Sequence, residues 1–344
     1  MGVKLKDLVI RKEIVLSDLK GKLIAIDAYN MLYQFLSSIR QMDGSYLTDS
    51  KGQVTSHLIG LFSRMSKLLS YGIKPIMVFD GKPSELKKTI LDKRKQIKEK
   101  AQEYYNEAIK EGNLKEAHKY SRQISKLTPE MVEEAKQLLD ALGVPYIQAP
   151  EEGEAQAAHL CKKGIVYATA SQDYDTLLFG SPKLITNLTL SNKKKSKDKL
   201  SYEKVSPEIL TLQDVLKQNN ITHDQLILLS ILTGTDYLPK GIPGLGPKKA
   251  LKVVQDFKED FEQIKLHVKW TEHYPDTDIK VIFDMFKHPN VTDNFEISFG
   301  KPSFEKLIEV LCDKHDFSRQ RVEQTCTELL DKSKENDQKS LFDF

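Results

Sequence analysis

The sequence is poor in several things, and each shortage removes a class of protein. Its 344 residues include three cysteines, Cys161, Cys312 and Cys326, at spacings that make neither a disulfide framework nor a zinc site. That usage predicts a reducing, intracellular compartment. No run approaches the ~20 consecutive apolar residues of a membrane span, so an integral membrane protein is excluded and no membrane partner is expected. The start, Met1-Gly2-Val3-Lys4-Leu5-Lys6, has no apolar signal-peptide core, and Lys6 stands where a myristoylation motif needs Ser or Thr. The eight histidines form no H-E-x-x-H pair, and neither a G-x-x-x-x-G-K-[ST] phosphate loop nor a G-x-S-x-G elbow occurs. An excess of one charge is missing too: 52 Lys+Arg against 49 Asp+Glu leave a net +3. That balance hides local clustering of both signs.

What is present reads as an α/β chain with about two domains' worth of length. Lys22 to Asp27 and Ile76 to Asp80 are short apolar runs closed by an acid, as buried parallel strands are. Between them Val54, Leu58, Leu61, Phe62, Met65, Leu68 and Leu69 recur at helical spacing, with Gly72 as a stop. Residues 84 to 126 change character. Thirteen Lys and Arg fall between Lys82 and Lys126 while apolar residues are sparse, which predicts long solvated helices projecting from the core. Thr128-Pro129-Glu130 caps a further helix that ends at Gly143. Strands are predicted at Val144 to Gln148, Ile165 to Ala170 and Leu184 to Leu190, and an Ala-rich helix at Glu154 to Lys163. A flexible loop is predicted over Ser191 to Lys199, mostly helix from Ile209, and a polar, flexible tail beyond Lys332. No internal repeat of 20 to 50 residues is present.

The acids carry the chemistry. In open α/β sheets, ligands gather at the carboxyl ends of the strands. Asp27 and Asp80 sit at two such ends, Asp173 and Asp175 follow a third, and Glu152 and Glu154 follow a fourth. Asp236 lies after the apolar helix Ile227 to Leu232. One such Asp alone reads as a helix cap, and Glu151 reads as a surface acid near a helix start. The set reads as a metal site, because clustered carboxylates repel one another until divalent cations resolve the repulsion. Hard Mg²⁺ or Mn²⁺ suits carboxylate oxygen, and two such ions can clamp the attacking and leaving oxygens of a phosphodiester.

Basic features point to nucleic acid. In Gly241-Ile242-Pro243-Gly244-Leu245-Gly246-Pro247-Lys248-Lys249, Gly-Leu-Gly makes a tight turn and Pro247 suits the first turn of a helix. Exposed N–H groups there, with Lys248 and Lys249, look like a helix–hairpin–helix element that grips duplex backbone without reading sequence. Lys87, Arg94 and Lys98 share one helical face soon after Asp80. Tyr33, following Asp27, is placed to stack a base.

These residues resemble the flap endonuclease family of structure-specific 5′ nucleases, in its archaeal type, along nearly the whole chain. The blocks that carry the resemblance are Ile26-Asp27-Ala28 with Tyr33-Gln34-Phe35, Val78-Phe79-Asp80-Gly81-Lys82-Pro83, Ala149-Pro150-Glu151-Glu152-Gly153-Glu154-Ala155, Ser171-Gln172-Asp173-Tyr174-Asp175, Gly234-Thr235-Asp236-Tyr237 and Gly244-Leu245-Gly246-Pro247-Lys248. The resemblance implies a PIN-like 5′-nuclease core with a mostly parallel sheet, a helical arch insertion and a helix–hairpin–helix element. The regions it implies are 1–99 (N-terminal nuclease), 100–127 (the rest of the arch), 128–260 (internal nuclease with the hairpin), 261–332 (C-terminal helices) and 333–344 (flexible tail).

By the same resemblance, Asp27, Asp80, Glu152, Glu154, Asp173, Asp175 and Asp236 become ligands of two Mg²⁺ ions, with Mn²⁺ as a substitute. Lys87 and Arg94 become the basic pair at the scissile phosphate, and Tyr33 the base-stacking aromatic. Gly2 matches a buried N-terminal glycine near the site, although Lys4-Leu5-Lys6 departs from the Gly-Leu common in the family. Thr55-Ser56-His57-Leu58 resembles the region for a one-nucleotide 3′ flap. Gly244, Gly246, Lys248 and Lys249 belong to the duplex-holding hairpin, where family members also bind K⁺ through backbone carbonyls. Gln338, Leu341, Phe342 and Phe344 resemble a peptide that binds the sliding clamp (PCNA), with its usual second terminal aromatic missing. The basic extension of eukaryotic members is absent.

The expected activity is Mg²⁺-dependent cleavage of branched DNA at 5′ flaps, endonucleolytic and 5′–3′ exonucleolytic, by a monomer. It would leave 5′-phosphates and serve replication (Okazaki fragment maturation) and repair. The alternatives are a related bubble- or gap-cutting nuclease, disfavoured by the compact insertion, and a non-catalytic helix–hairpin–helix clamp adaptor. The adaptor is disfavoured because a pure binder gains nothing from burying seven acids.

Overall fold

The computed structural model describes residues 3, 5–190, 193–195 and 202–342, with side chains among these except at 85–86, 88–93, 193–195, 202–204 and 333–342. Gly2 and Phe344 lie outside the described residues. So do the side chains of Gln338, Leu341 and Phe342.

The strands are β1 (Lys12–Glu13), β2 (Leu23–Asp27), β3 (Lys74–Phe79), β4 (Tyr146–Gln148), β5 (Ala168–Ala170), β6 (Lys183–Thr186), β7 (Lys193–Lys195), β8 (Tyr202–Lys204) and β9 (Glu208–Thr211). Seven of them form one sheet in the order β1-β9-β6-β5-β2-β3-β4. β6, β5, β2, β3 and β4 run parallel, and β9 is antiparallel to both of its neighbours. The apolar runs of β2 and β3 are buried on both faces, as a central parallel strand requires. Ile24, Ile26, Met77 and Phe79 face one core, whereas Ala25, Ile76 and Val78 face another. The chain leaves β2 toward β3 and β4 on one side, then returns to β5 and β6 on the other. The resulting switch point lies between the carboxyl ends of β2 and β5, where such sheets bind ligands.

Helices cover both faces. On one side lie α1 (Ala28–Ser38), α2 (Ser56–Ser70) and α5 (Pro129–Leu142), whose Met31, Leu61, Met65 and Leu138 are buried in the first core. Between α2 and α5 the chain makes α3 (Glu85–Lys110) and α4 (Leu114–Ser121), the two helices of the basic insertion. The opposite face carries α6 (Gly153–Lys162), α7 (Asp175–Leu178), α8 (Leu212–Asn219), α9 (His223–Thr233) and α10 (Pro247–Phe257). Beyond these come α11 (Phe261–His267), α12 (Trp270–His273) and α13 (Ile279–Lys287). Their shared core holds Leu226, Ile231, Val254, Trp270, Ile282 and Phe286. A strap over residues 288–303 then returns to α14 (Phe304–Leu307) and α15 (Arg319–Phe342), which pack back on the first core.

The expected fold class is the observed one: a mostly parallel sheet flanked by helices, with a helical insertion. Differences of detail have local causes. Asn187 takes a left-handed φ of 61°, so β6 stops at Thr186 rather than running to Leu190. Within the loop expected over Ser191 to Lys199, Lys193–Lys195 pairs antiparallel with Tyr202–Lys204, and the rest of that stretch lies outside the described residues. β9 lies where helix was expected from Ile209: Thr211 ends the strand and caps α8 through its hydroxyl, so four residues of strand carry little period of their own. The backbone of α15 is helical to Phe342, across the region read as a flexible tail. No described helix is long and apolar enough to cross a membrane.

Candidate active site

Each acid is placed by a strand end or a helix start. Asp27 closes β2 and caps α1, accepting the Asn30 N–H at 3.0 Å. The Asn30 side-chain amide reaches Asp173 Oδ2 at 3.0 Å, so one residue ties the acids on either side of the switch point. Asp80 follows β3, and its Oδ1 accepts the Gly153 N–H at 2.7 Å. A Cβ at position 153 would stand 2.7 Å from that same oxygen, so only glycine allows this approach. Glu152 stands at the N-cap position of α6, its side chain making no capping bond, and Glu154 lies in the first turn. Glu154 accepts the Ser171 hydroxyl at 2.9 Å, and Ser171 Oγ in turn accepts the Asp173 N–H at 3.2 Å. Asp175 opens α7 and accepts the Val3 N–H at 2.9 Å, which draws the start of the chain to the site. Asp236 lies in the loop after α9.

The seven carboxylates share one electrostatic neighbourhood. Burial, reinforced by Asp80 and Asp173, pushes Asp27 up to about 8. Burial likewise raises Asp175 to about 8, with Asp236 and Asp173 adding to it. Asp80 is raised to about 6 by burial, with Lys87 opposing and Glu152 and Asp236 adding. Glu154 is held well above the usual carboxylate range by burial and by Asp175, Asp27 and Asp173. Such shifts mark groups whose charge wants a partner.

Two cations come from α3. Lys87 Nζ meets Glu152 Oε2 at 2.5 Å, and Arg94 Nη2 meets Asp236 Oδ1 at 2.9 Å. Burial works against the charge on Lys87, yet Glu152 and Asp80 hold its ammonium above the ordinary lysine range. The other Glu152 oxygen accepts the Tyr237 hydroxyl at 3.0 Å. Further along α3, Lys98 donates to the Ser125 carbonyl at 2.8 Å, and its ammonium lies 5.3 Å from the centre of the half-exposed Tyr33 ring. The shared face of Lys87, Arg94 and Lys98 is therefore turned toward the sheet edge and Tyr33.

Among the described residues, no three His, Cys, Asp or Glu side chains stand close enough to form a ready-made ligand set for one ion. The donors are nevertheless all oxygen, clustered and mutually repelling. Mg²⁺ keeps several waters and uses only one or two carboxylates directly, so this spread fits a hydrated hard cation better than a tightly wrapped zinc.

The hairpin lies between α9 and α10. Gly241 has φ +54°, and a Cβ there would stand 2.5 Å from the Leu232 carbonyl. Gly244 has φ +75° and faces open space, as does Gly246, which leads into Pro247 at the start of α10. Lys248 and Lys249 are exposed on the first turn. Thr55, at the start of α2, is buried against a cavity of about 960 Å³ whose walls include Phe62, Ser66, His315 and Arg321.

Several residues of the site were not singled out by sequence reasoning. Asn30, at the cap-box spacing from Asp27, was legible in principle; Tyr237 stood inside a quoted block without a role. A buried relay beneath the cavity was not legible. His57 Nε2 meets Glu134 Oε2 at 3.0 Å, and His315 Nδ1 meets Asp49 Oδ2 at 3.1 Å. These four residues are scattered over 266 positions of sequence.

Known proteins resemble this chain over its length. Residues 1–101 match the XPG N-terminal domain, and residues 143–236 match the XPG I-region. Flap endonuclease 1 of Thermofilum pendens is 50% identical over 324 residues, 94% of this chain and 92% of that protein. Flap endonuclease 1 of Nanoarchaeum equitans is 49% identical over 346 residues, 100% of this chain and 99% of its own length. Among solved structures, flap endonuclease-1 from Methanococcus jannaschii superposes with a TM-score of 0.75 at 42% identity, covering 96% of this chain and 98% of that one. With acids from four strand ends and a basic helix folded onto them, and with likeness of this extent over the full length, the chain belongs to the flap endonuclease family of nucleases.

Proposed function

We propose that this nuclease hydrolyses phosphodiesters at single-strand/duplex junctions of branched DNA, releasing 5′ flaps and leaving a 5′-phosphate and a 3′-hydroxyl. The observation that carries the reading is the pairing of α3 onto the acid edge through Lys87–Glu152 and Arg94–Asp236. Asp27, Asp80, Glu152, Glu154, Asp173, Asp175 and Asp236 would hold two Mg²⁺ ions, directly or through water, with Mn²⁺ as a substitute. The chemistry such ions supply when bound is an activated water and stabilisation of the leaving oxygen. Lys87 and Arg94 exchange their carboxylate partners for oxygens of the scissile phosphate and offset the charge that grows there. Tyr33, partly exposed, stacks the base beside the cut.

The remaining assignments follow the same logic. Gly244 and Gly246 leave backbone groups open to a phosphate, Lys248 and Lys249 add charge, and the hairpin carbonyls are the place for K⁺. The cavity beside Thr55 has room for the 3′-flap nucleotide. Gly2 belongs beside Val3, whose N–H already meets Asp175. Gln338, Leu341, Phe342 and Phe344 form the peptide for the sliding clamp, and the work done is flap removal in replication and repair.

The decisive experiment is cleavage of a 5′-labelled double-flap DNA with Mg²⁺ or EDTA, beside a blunt duplex and a bubble. Mg²⁺-dependent release of the flap with little cutting of the controls is expected. Binding without cleavage in every divalent metal would transfer the protein to the adaptor class.

A further inference from the structure

The strap over residues 288–303 does more than connect two helical groups. Gln156, at the end of the first turn of α6, is fully buried and forms a reciprocal pair with the strap backbone. Its Nε2 donates to the Thr292 carbonyl at 2.8 Å, and its Oε1 accepts the Thr292 N–H at 2.8 Å. A side-chain amide thus satisfies both backbone groups of one residue, much as a strand neighbour would. Further contacts flank the pair. Asn290 donates to Glu151 Oε1 at 3.1 Å, and Asp293 takes His159 Nε2 at 2.8 Å and Lys163 Nζ at 2.6 Å. Phe295 and Ile297 pack against the core under β3 and β4, and the Gly300 N–H meets the Gly143 carbonyl at 3.0 Å.

The ties from Asn290, Thr292 and Asp293 all land on α6, the helix that presents Glu152 and Glu154, or on the residues next to its ends. Gln156 N–H donates to the Glu152 carbonyl at 3.1 Å, the first hydrogen bond of that helix, so Gln156 is bonded to both the acid-bearing turn and the strap. Without the strap, α6 is ten residues long and its first turn carries two acids with a glycine between them. Repulsion among the buried carboxylates then favours swinging that turn away from Asp80 and Asp173.

We propose that Gln156 is a positioning residue, and that the strap clamps α6 through it so that Glu152 and Glu154 stay set for divalent cations. The inference rests on the metal-dependent reading above. It differs in assigning part of the site's metal affinity to a neutral amide and to a segment far along the chain from every acid but Asp236. Preorganised ligands depend on such supporting contacts, and their loss commonly weakens metal binding by about 10–100-fold.

The test is Mn²⁺ binding to the DNA-free protein by electron paramagnetic resonance titration, together with the Mg²⁺ dependence of flap cleavage and thermal unfolding. Gln156→Met keeps the volume and removes both side-chain hydrogen bonds. It should weaken Mn²⁺ binding and raise the Mg²⁺ concentration for half-maximal cleavage by about tenfold. KM for DNA at saturating Mg²⁺ should change by less than about twofold. Asp293→Ala, at an exposed residue, should cause the same kind of shift at about two- to threefold without threatening the fold. A lowered melting temperature with metal binding unchanged in both variants would overturn the proposal and leave Gln156 a purely structural residue. Absence of Mn²⁺ binding by the unmodified protein would instead overturn the metal reading itself.

Discussion

The acid edge of the sheet and the basic helix α3 carry opposite charge under opposite physical terms. At the sheet edge, strand ends fix the backbone of each acid and neutral donors hold the oxygens of Asp27, Asp80, Glu154 and Asp175. Burial there lifts three aspartates to between about 6 and about 8. Along α3, Lys95, Gln96 and Ile97 face water, and the described side chains that reach the core include Lys87, Arg94 and Lys98. Buried charge of one sign needs a partner brought to it, whereas solvated charge costs little and is free to exchange partners. The site joins buried acids to cations that α3 brings to them.

Removing an acid should have the largest effect. Asp80→Ala or Asp173→Ala is expected to lower single-turnover cleavage by at least about a thousandfold, since each would strip a charge from the set proposed above to hold the catalytic ions. Flap-DNA binding, measured by anisotropy in Ca²⁺, should stay within about threefold, because phosphate contacts dominate affinity. Turnover near the normal rate in either variant would remove these acids from the site.

Removing a cation should cost less. Lys87→Ala is expected to slow the chemical step by about a hundredfold or more, the range for losing one preorganised electrostatic contact to the reacting group. Binding should weaken by only a few-fold. Equal losses in rate and affinity would reduce Lys87 to an ordinary phosphate contact.

The same contrast can be read in stability against pH. Unfolded carboxyls titrate near about 4. Asp27 and Asp175 titrate near about 8 in the metal-free fold, and Asp80 near about 6. The folded state therefore holds extra protons between these limits. The stability they contribute is fully present below about pH 4 and is lost as pH rises through about 6 to 8. In EDTA the melting temperature should fall between pH 5.5 and pH 8.5, by several degrees if most of that linkage is realised. Mg²⁺ takes the place of those protons, so its stabilising increment should be greater at pH 8.5. The Mg²⁺-minus-EDTA difference cancels groups remote from the acids, such as the part-buried His223. An increment that does not grow with pH would mean the acids are already satisfied without metal.

How much of this was legible in sequence depended on where the information sits. β2, β3 and the acids that close them were legible because an apolar run ended by Asp is a local pattern. Helix α5 was legible from Thr128-Pro129 at one end and Gly143, with φ +68°, at the other. β1 and β9 were not: two and four residues make too short a period, and their pairing is set by partners about 200 and 25 positions away. The Lys87–Glu152 and Arg94–Asp236 pairs follow the same rule, because their spacings of 65 and 142 residues come from the fold rather than from any local motif. Gln156 is the sharpest case. Inside an Ala-rich helix it looks like a filler residue until the strap that it holds is seen.

The smallest expected effect lies at the hairpin, and it tests whether the contrast extends beyond the active site. Lys248 and Lys249 are exposed and have Gly246-Pro247 before them, so they follow the solvated regime of α3 rather than the buried regime of the acids. Each should act through duplex phosphate, where neutralising one phosphate contributes about 0.9 to the slope of log K against log salt concentration. Lys248→Ala should therefore lower that slope by about one and weaken duplex binding a few-fold at moderate salt, with the single-turnover rate on saturating enzyme unchanged. The rate is the informative half of the measurement. A hairpin that only holds DNA leaves the bound rate alone, whereas a slower bound rate would mean that its grip is transmitted to the acids, and the two regions could no longer be treated as separate.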